Sequence, residues 1–101
     1  MGPGILVNPA LLGMSAAVET AGTSAMAGAA GGAAPTITAV MPPGADGASV
    51  AASAGLNARG AAAMALMANL TAVRGMFATN VGVNGVSYAA MDAVNEASLA
   101  L

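Results

Sequence analysis

The sequence contains no cysteine, no histidine and no lysine, and its two basic residues are Arg59 and Arg74. Without cysteine there is no disulfide, no thiolate nucleophile and no cysteine-ligated metal. Without histidine the chain lacks the usual general base and the commonest metal ligand. Four carboxylates and the single Tyr88 are left for proton transfer. These absences predict a protein that is not an enzyme and that uses no metal or other cofactor.

Charge of either sign is scarce. Charged residues are 6% of the 101 residues, whereas a typical soluble domain has about 25%. The net charge is −2 and there is no basic patch, so nucleic acid is not expected as a partner. Because a small free-standing domain needs a charged surface to stay dispersed, we expect this chain to cover part of its surface with another molecule.

The apolar residues are mostly small. Hydrophobic residues make up 57% of the chain, yet there is one Phe and one Tyr, and 14 residues are glycine. Burial of one methyl group gains about 0.8 kcal/mol, whereas ordering one backbone residue costs about 1–2 kcal/mol. Packing alanine on alanine therefore barely offsets chain entropy. The composition predicts helices that need a partner with larger side chains.

A membrane location has to be weighed, because the mean hydropathy is +0.79. Residues 20–45 carry no charge over a span long enough to cross a bilayer. The span also contains three prolines and five glycines, with no flanking basic residue to set its orientation. The N-terminus lacks the positive segment of a cleavable signal peptide. We predict a protein that is soluble, or soluble once paired, with a membrane-associated helical hairpin of the cell envelope as the alternative.

A first helix is predicted over about residues 9–40. Asn8-Pro9 is a favourable start, because Asn caps free amides and Pro at the first position loses no hydrogen bond; residues 1–8 are expected to form a flexible tail. Pro35 is expected to kink this helix or to end it. A short β-strand over 36–40 is the alternative there. Apolar and small residues recur at spacings of three and four, namely Leu11, Met14, Val18, Gly22, Met26, Ala29, Ala33, Ile37 and Val40.

A second helix is predicted over about residues 47–84, after a turn over 41–46 that is rich in proline and glycine. Asp46 would cap this helix, and Arg59 and Arg74 are expected to face water. Gly82 and Gly85 are expected to loosen the helix, leaving a tail over 88–101 that has room for one more helical segment. The apolar stripe comprises Leu56, Ala63, Met67, Leu70, Val73, Phe77 and Val81. The fold predicted is all-α, an antiparallel two-helix hairpin over 9–87 that completes a four-helix bundle with a partner protein.

Two groups of polar residues near the C-terminus are candidate sites. Asp92, Asn95 and Glu96 have the oxygen ligands of a hard cation, but a solvated acidic helix end is the favoured interpretation. Tyr88 and Asp92 are four residues apart, so a helix would display phenol and carboxylate together. The alternative for Tyr88 is an ordinary tyrosine at a frayed helix end.

Taken together, these residues resemble the PE family of mycobacteria from Pro9 to about Ala93. The turn Pro42-Pro43-Gly44-Ala45-Asp46 looks like the family's inter-helix turn, and Ala33-Ala34-Pro35-Thr36 looks like the stretch where its first helix ends or bends. Tyr88 and Asp92 match its Tyr-x-x-x-Asp/Glu secretion motif. One departure is that Pro9 is followed by Ala10, where the family has the Pro-Glu pair of its name. Without a long C-terminal extension, this would be a short member consisting of the PE domain only.

The resemblance implies a substrate of type VII secretion that forms a heterodimer with a PPE protein. Two helices from each would form a four-helix bundle, and a cytosolic chaperone would recognise the tip of the PPE protein. Tyr88 and Asp92 would form part of the export signal, beside a Trp-x-Gly turn of the partner. The expected location is secreted, or at the cell envelope or cell surface, and a membrane is not required. The partner interface is expected to include Leu11, Val18, Met26, Leu56, Met67, Leu70, Val73, Phe77 and Val81.

Overall fold

The computed structural model describes residues 6–100 and contains two α-helices over this range. Helix α1 is Pro9–Thr38 and helix α2 is Gly47–Leu99, with residues 39–46 between them and no strand in the described chain. The predicted all-α helical hairpin is therefore confirmed. Residues 1–5 of the predicted tail over 1–8 lie outside the described residues. Residue 101, the last of the predicted tail over 88–101, also lies outside them.

Helix α1 begins where the Asn8-Pro9 pair predicts. The Asn8 side-chain oxygen accepts hydrogen bonds from the backbone N–H groups of Ala10 at 3.0 Å and Leu11 at 3.2 Å. The Asn8 carbonyl oxygen accepts the first helical bond, from the Leu12 N–H at 3.1 Å. Three amide donors at the start of α1 are thus satisfied locally.

Helix α1 continues through Pro35 and ends at Thr38. The prediction that the helix ends at Pro35 is therefore wrong. The alternative of a β-strand over 36–40 is also wrong, because Thr36, Ile37 and Thr38 remain helical. Proline removes one backbone donor from the helix. Here it lies in the last turns, where the Thr38 hydroxyl donates to the Ala34 carbonyl oxygen at 2.6 Å.

Helix α2 extends fifteen residues beyond the predicted end at residue 84, as far as Leu99. The expectation that Gly82 and Gly85 loosen the helix, with a separate tail from residue 88, is wrong. A methyl group at Gly82 would lie 3.7 Å from the Ala16 Cβ, and one at Gly85 would lie 3.2 Å from the Leu12 Cβ. At Gly82 a methyl group would therefore make only ordinary contact, whereas at Gly85 it would be crowded, so Gly85 is the glycine that allows α1 to approach closely despite its low helix propensity.

The described residues form two compact units, each an antiparallel pair of helical segments. Unit 1 comprises residues 6–22 with 74–100, where Leu12 faces Gly85 and Glu19 faces Arg74. Unit 2 comprises Thr23–Val73, where Ile37 faces Gly60. From Leu12 to Glu19 along the chain, the contacted residue of α2 moves back from Gly85 to Arg74. From Ile37 to Val40, it moves back from Gly60 to Asn57. The two segments of each unit are therefore antiparallel.

Little large apolar surface is buried between the helices. The only buried hydrophobic residue of the described chain is Ala78, which is 5% exposed. The large apolar side chains that the two units leave exposed are therefore available to a partner.

Candidate functional site

The outer side of α1 in unit 1 carries large apolar side chains. Leu12 and Ala16 face α2, whereas Leu11, Met14 and Val18 are each more than half exposed. With Ser15 and Glu19, the exposed residues line a shallow groove of about 440 Å³. This surface suits a second apolar helix face.

The α2 segment of unit 1 carries the single phenylalanine of the chain on its surface. Phe77 is 54% exposed, although the adjacent Ala78 is buried. Val81, four residues on, is half-buried. An aromatic side chain normally contributes a large buried area to a core or an interface, so exposed Phe77 indicates a contact site.

Unit 2 has a similar row of exposed residues on α2. Leu66, Leu70 and Val73 follow one another at spacings of four and three, and all three are about half exposed or more. Sequence reasoning missed Leu66, although its spacing to Leu70 was available as an indication. The nine predicted interface residues divide into six exposed ones, Leu11, Val18, Leu56, Leu70, Val73 and Phe77, and three half-buried ones, Met26, Met67 and Val81. The interface itself remains a prediction.

A second kind of surface in unit 2 is a cleft lined by small residues, which sequence reasoning also missed. Its volume is about 440 Å³, and its walls belong to both helices. Such a cleft accepts larger side chains in the way that holes accept knobs between helices. The lining residues are Ala27, Ala30, Gly31, Met64, Ala68, Thr71 and Ala72.

An ion pair joins the two helices of unit 1. The Arg74 Nε lies 2.9 Å from the Glu19 Oε2, and both side chains are about one-third exposed. Arg74 thus lies at the edge of the helix contact, where its side chain faces water in part and also pairs with Glu19, a contact that was not predicted. The guanidinium lies over Gly22, where an added Cβ would meet its carbon at 2.5 Å. Glycine at position 22 thus leaves space for the arginine.

The end of α1 is tied to α2 through the backbone of Val40. The Asn57 side chain accepts a hydrogen bond from the Val40 N–H at 2.7 Å and donates one to the Val40 carbonyl oxygen at 3.2 Å. Buried Ser53 donates a further hydrogen bond to that carbonyl oxygen at 2.6 Å. Side chains of α2 therefore satisfy the backbone at the point where α1 has ended.

Tyr88 and Asp92 lie on the final turns of α2, within unit 1. Both are exposed, Tyr88 at 42%. Since they are four residues apart on a continuous helix, they share one face. They also line a groove of about 350 Å³, together with Leu6, Val7 and Asn8. Sequence reasoning predicted the pair and missed its neighbours, because nothing local links residues 6–8 to residue 88.

Comparison with known proteins gives the family. Residues 5–95 match the family model described as PE family. The chain belongs to the PE family. The resemblance predicted from the residues is thus confirmed, despite the Ala10 that follows Pro9.

Two relatives of this PE-family chain come from Mycobacterium tuberculosis. The PE family immunomodulator PE15 of strain CDC 1551 / Oshkosh is 40% identical over 93 residues, which cover 92% of this chain and 90% of the relative. The PE family immunomodulator PE5 of strain H37Rv is 41% identical over 93 residues, with the same coverage of both chains. No solved structure matches. The names of the family and of these relatives mention no catalytic activity.

Two further properties of this PE-family chain bear on its chemistry. No group of three or more His, Cys, Asp or Glu side chains that could hold a metal occurs within residues 6–100, and Asp92, Asn95 and Glu96 lie exposed on α2.

Helix α2 is long and apolar enough to cross a membrane by length and composition, and an 18-residue segment of it has a mean hydropathy of 1.3. The span weighed from the sequence, 20–45, is instead divided between α1 and the connection.

Proposed function

We propose that this PE-family chain is a non-enzymatic substrate of type VII secretion that pairs with a PPE-type helical protein. The pair is exported to the cell envelope, the cell surface or the medium, and a secretion chaperone acts on the pair through the PPE protein. Tyr88 and Asp92 form part of the export signal. The observation that carries the pairing is the exposure of large apolar side chains on a chain with almost no buried core.

The exposed apolar residues are many for a chain of this size. Eighteen large apolar or aromatic side chains in the described chain are at least 42% exposed. Scattered exposed apolar residues are normal, whereas rows of them indicate an interaction surface. In unit 1 such a row lies on α1 at Leu11, Met14 and Val18, and in unit 2 one lies on α2 at Leu66, Leu70 and Val73. In either unit, a helical partner with a complementary apolar face would bury the row, and two partner helices packed on the two helical segments of a unit would give a four-helix bundle.

The export role of Tyr88 and Asp92 is supported by their availability. No hydrogen bond within residues 6–100 engages the Tyr88 hydroxyl or the Asp92 carboxylate. A receptor is therefore able to reach a donor, an aromatic ring and an acceptor on one helix face. An exposed polar pair of this kind contributes little to folding, so its removal tests recognition rather than stability.

The test combines pairing with export. The chain is co-expressed with candidate PPE proteins in a mycobacterium that has an active type VII system, and pair formation is followed by size-exclusion chromatography. We expect a soluble heterodimer with one partner. Tyr88→Ala is expected to leave the heterodimer intact and to lower the exported fraction at least tenfold.

The matched control is Val94→Ala, which truncates another exposed residue of the same helix end. This variant is expected to be exported like the wild type. Normal export of Tyr88→Ala contradicts the role of Tyr88 in the signal. Failure of every PPE protein to form a complex contradicts the proposed pairing.

A second candidate function, a membrane-associated helical hairpin of the cell envelope, is favoured by α2 alone. Only 6% of the apolar 18-residue segment of this helix is buried within the chain, so most of the segment is accessible to lipid. Carbonate extraction of membranes separates the two functions. An inserted hairpin stays with the lipid when the PPE protein is absent, whereas a paired secretion substrate is released into the soluble fraction.

A further inference from the structure

We infer that the export surface is composite: residues 6–8, just before α1, form its second wall beside Tyr88 and Asp92, and Gly85 positions that wall. This inference rests on the proposed export role of Tyr88 and Asp92. It adds two apolar residues, Leu6 and Val7, that lie about eighty positions away in the sequence. The groove that these residues share with Tyr88 and Asp92 is the observation that carries it.

The position of the N-terminal wall follows from the packing at Gly85. This glycine is buried, and an added methyl group would lie 3.2 Å from the Leu12 Cβ and 3.4 Å from the Pro9 carbonyl oxygen. The first turn of α1 therefore lies directly against α2 at this residue. Tyr88 is three residues further along α2, about one helical turn, so the chain that leads into Pro9 passes beside it.

The cap of α1 fixes the same end of the N-terminal wall a second time. Asn8 holds the amides of Ala10 and Leu11 with its side chain, which orients the backbone at residue 8. Leu6 and Val7 come directly before this fixed point. Leu6 is 96% exposed, and it lines the same groove as Tyr88.

The chemistry of the groove specifies its occupant. One wall is aliphatic, from Leu6 and Val7, and the other offers the Tyr88 ring and hydroxyl with the Asp92 carboxylate. The groove is open to solvent along two chain segments and has a volume of about 350 Å³, so a partner's side chain is able to enter it from outside. The occupant is a segment of the export receptor that places an apolar side chain between the walls and donates an N–H group to Asp92.

The experiment uses the full chain co-expressed with its PPE partner in the secreting mycobacterium. Leu6→Ser/Val7→Ser removes the aliphatic wall and keeps Asn8, Tyr88 and Asp92. We expect the heterodimer to form as in the wild type and the exported fraction to fall at least fivefold. The matched control is Met41→Ser/Val50→Ser, which also replaces one highly exposed residue outside the helices and one nearby aliphatic residue; export of this variant is expected to be unchanged.

The outcomes distinguish a failure of the composite surface from a failure of the proposed export role of Tyr88 and Asp92. Wild-type export of Leu6→Ser/Val7→Ser, with export lost in Tyr88→Ala, overturns the composite surface and leaves the proposed function in place. Loss of the heterodimer in Leu6→Ser/Val7→Ser also overturns it, because these residues would then serve pairing. Wild-type export of Tyr88→Ala removes the function on which the inference rests, whatever the double variant does.

Discussion

At the scale of single residues, the glycines of α2 serve different purposes. At Gly60 an added Cβ would overlap the Ile37 carbonyl oxygen and lie 2.6 Å from the Ile37 carbonyl carbon. At Gly55 nothing lies within 4 Å of that position. Gly60 is therefore required by the contact with α1, whereas Gly55 only lowers the helix propensity of α2.

These two glycines give a matched pair of substitutions. Gly60→Ala is expected to destabilise the fold by about 1–3 kcal/mol, because the added methyl group forces backbone apart at a packed contact. Gly55→Ala is expected to stabilise it by about 1 kcal/mol through helix propensity. Thermal unfolding of the co-purified heterodimer, followed by circular dichroism, measures both. Equal melting temperatures for the two variants would contradict the contact at Gly60.

At the scale of the helices, the starting points were predictable and one end was not. Asn8 and Asp46 cap helices through residues two or three positions away, so their roles are local and visible in the sequence. Helix α2 continues through Gly85 as far as Leu99, and Gly85 packs against Leu12, which lies far away in the sequence. Whether such a glycine interrupts its helix or packs against the neighbouring helix depends on how α1 and α2 pair.

The candidate site divides in the same way. Tyr88 and Asp92 were predictable because a helix places positions four apart on one face. The ion pair of Arg74 with Glu19 and the groove at Leu6 were not, since both depend on the register of the two helices. The family resemblance supplied a role for Tyr88 and Asp92 but none for residues 6–8.

The cap of α2 makes a prediction about pH. The Ser49 hydroxyl and N–H donate to the Asp46 carboxylate at 2.8 and 3.1 Å, and these bonds, the hydroxyl first, hold the pKa of Asp46 below its ordinary value. A lowered folded-state pKa stabilises the fold above the ordinary carboxyl pKa of about 3.9. That contribution is lost as the pH falls through the lower folded value.

Asp46→Ala should therefore reduce stability at pH 7, and its deficit relative to the wild type should shrink progressively below about pH 4. Unfolding of the heterodimer at a series of pH values measures this difference. Ser49→Ala is the companion variant, because it removes the hydroxyl and should raise the pKa of Asp46 in an NMR titration of its carboxyl carbon. A deficit that does not change with pH would show that the charge of Asp46 is irrelevant to the cap.

At the scale of the whole molecule, the two units share one property, which is a contact surface built from small residues. Ala78 and Gly85 in unit 1 and Ser53 and Gly60 in unit 2 are the buried residues of the described chain. Small side chains allow helices to approach closely but remove little apolar area from water. The larger apolar residues lie on the outside, which is the reverse of a self-sufficient domain.

This distribution predicts that the chain by itself lacks a cooperative fold. Circular dichroism of the purified chain is expected to show partial helix that is lost gradually on heating. The heterodimer is expected to be fully helical and to unfold in a single sharp transition. A monomeric, lipid-free chain with a sharp transition of its own would contradict the need for a partner.

The hydrogen bonds that Asn57 and Ser53 make with the Val40 backbone have a practical consequence for handling the protein. Asn57 and Ser53 hold the chain at residue 40, and the cap holds it again at Asp46. Only the short stretch between these two anchors is free to change in length. An epitope or fluorophore-acceptor sequence inserted after Pro42 would leave both anchors in place, and it would be separated by more than forty positions in the sequence from Tyr88.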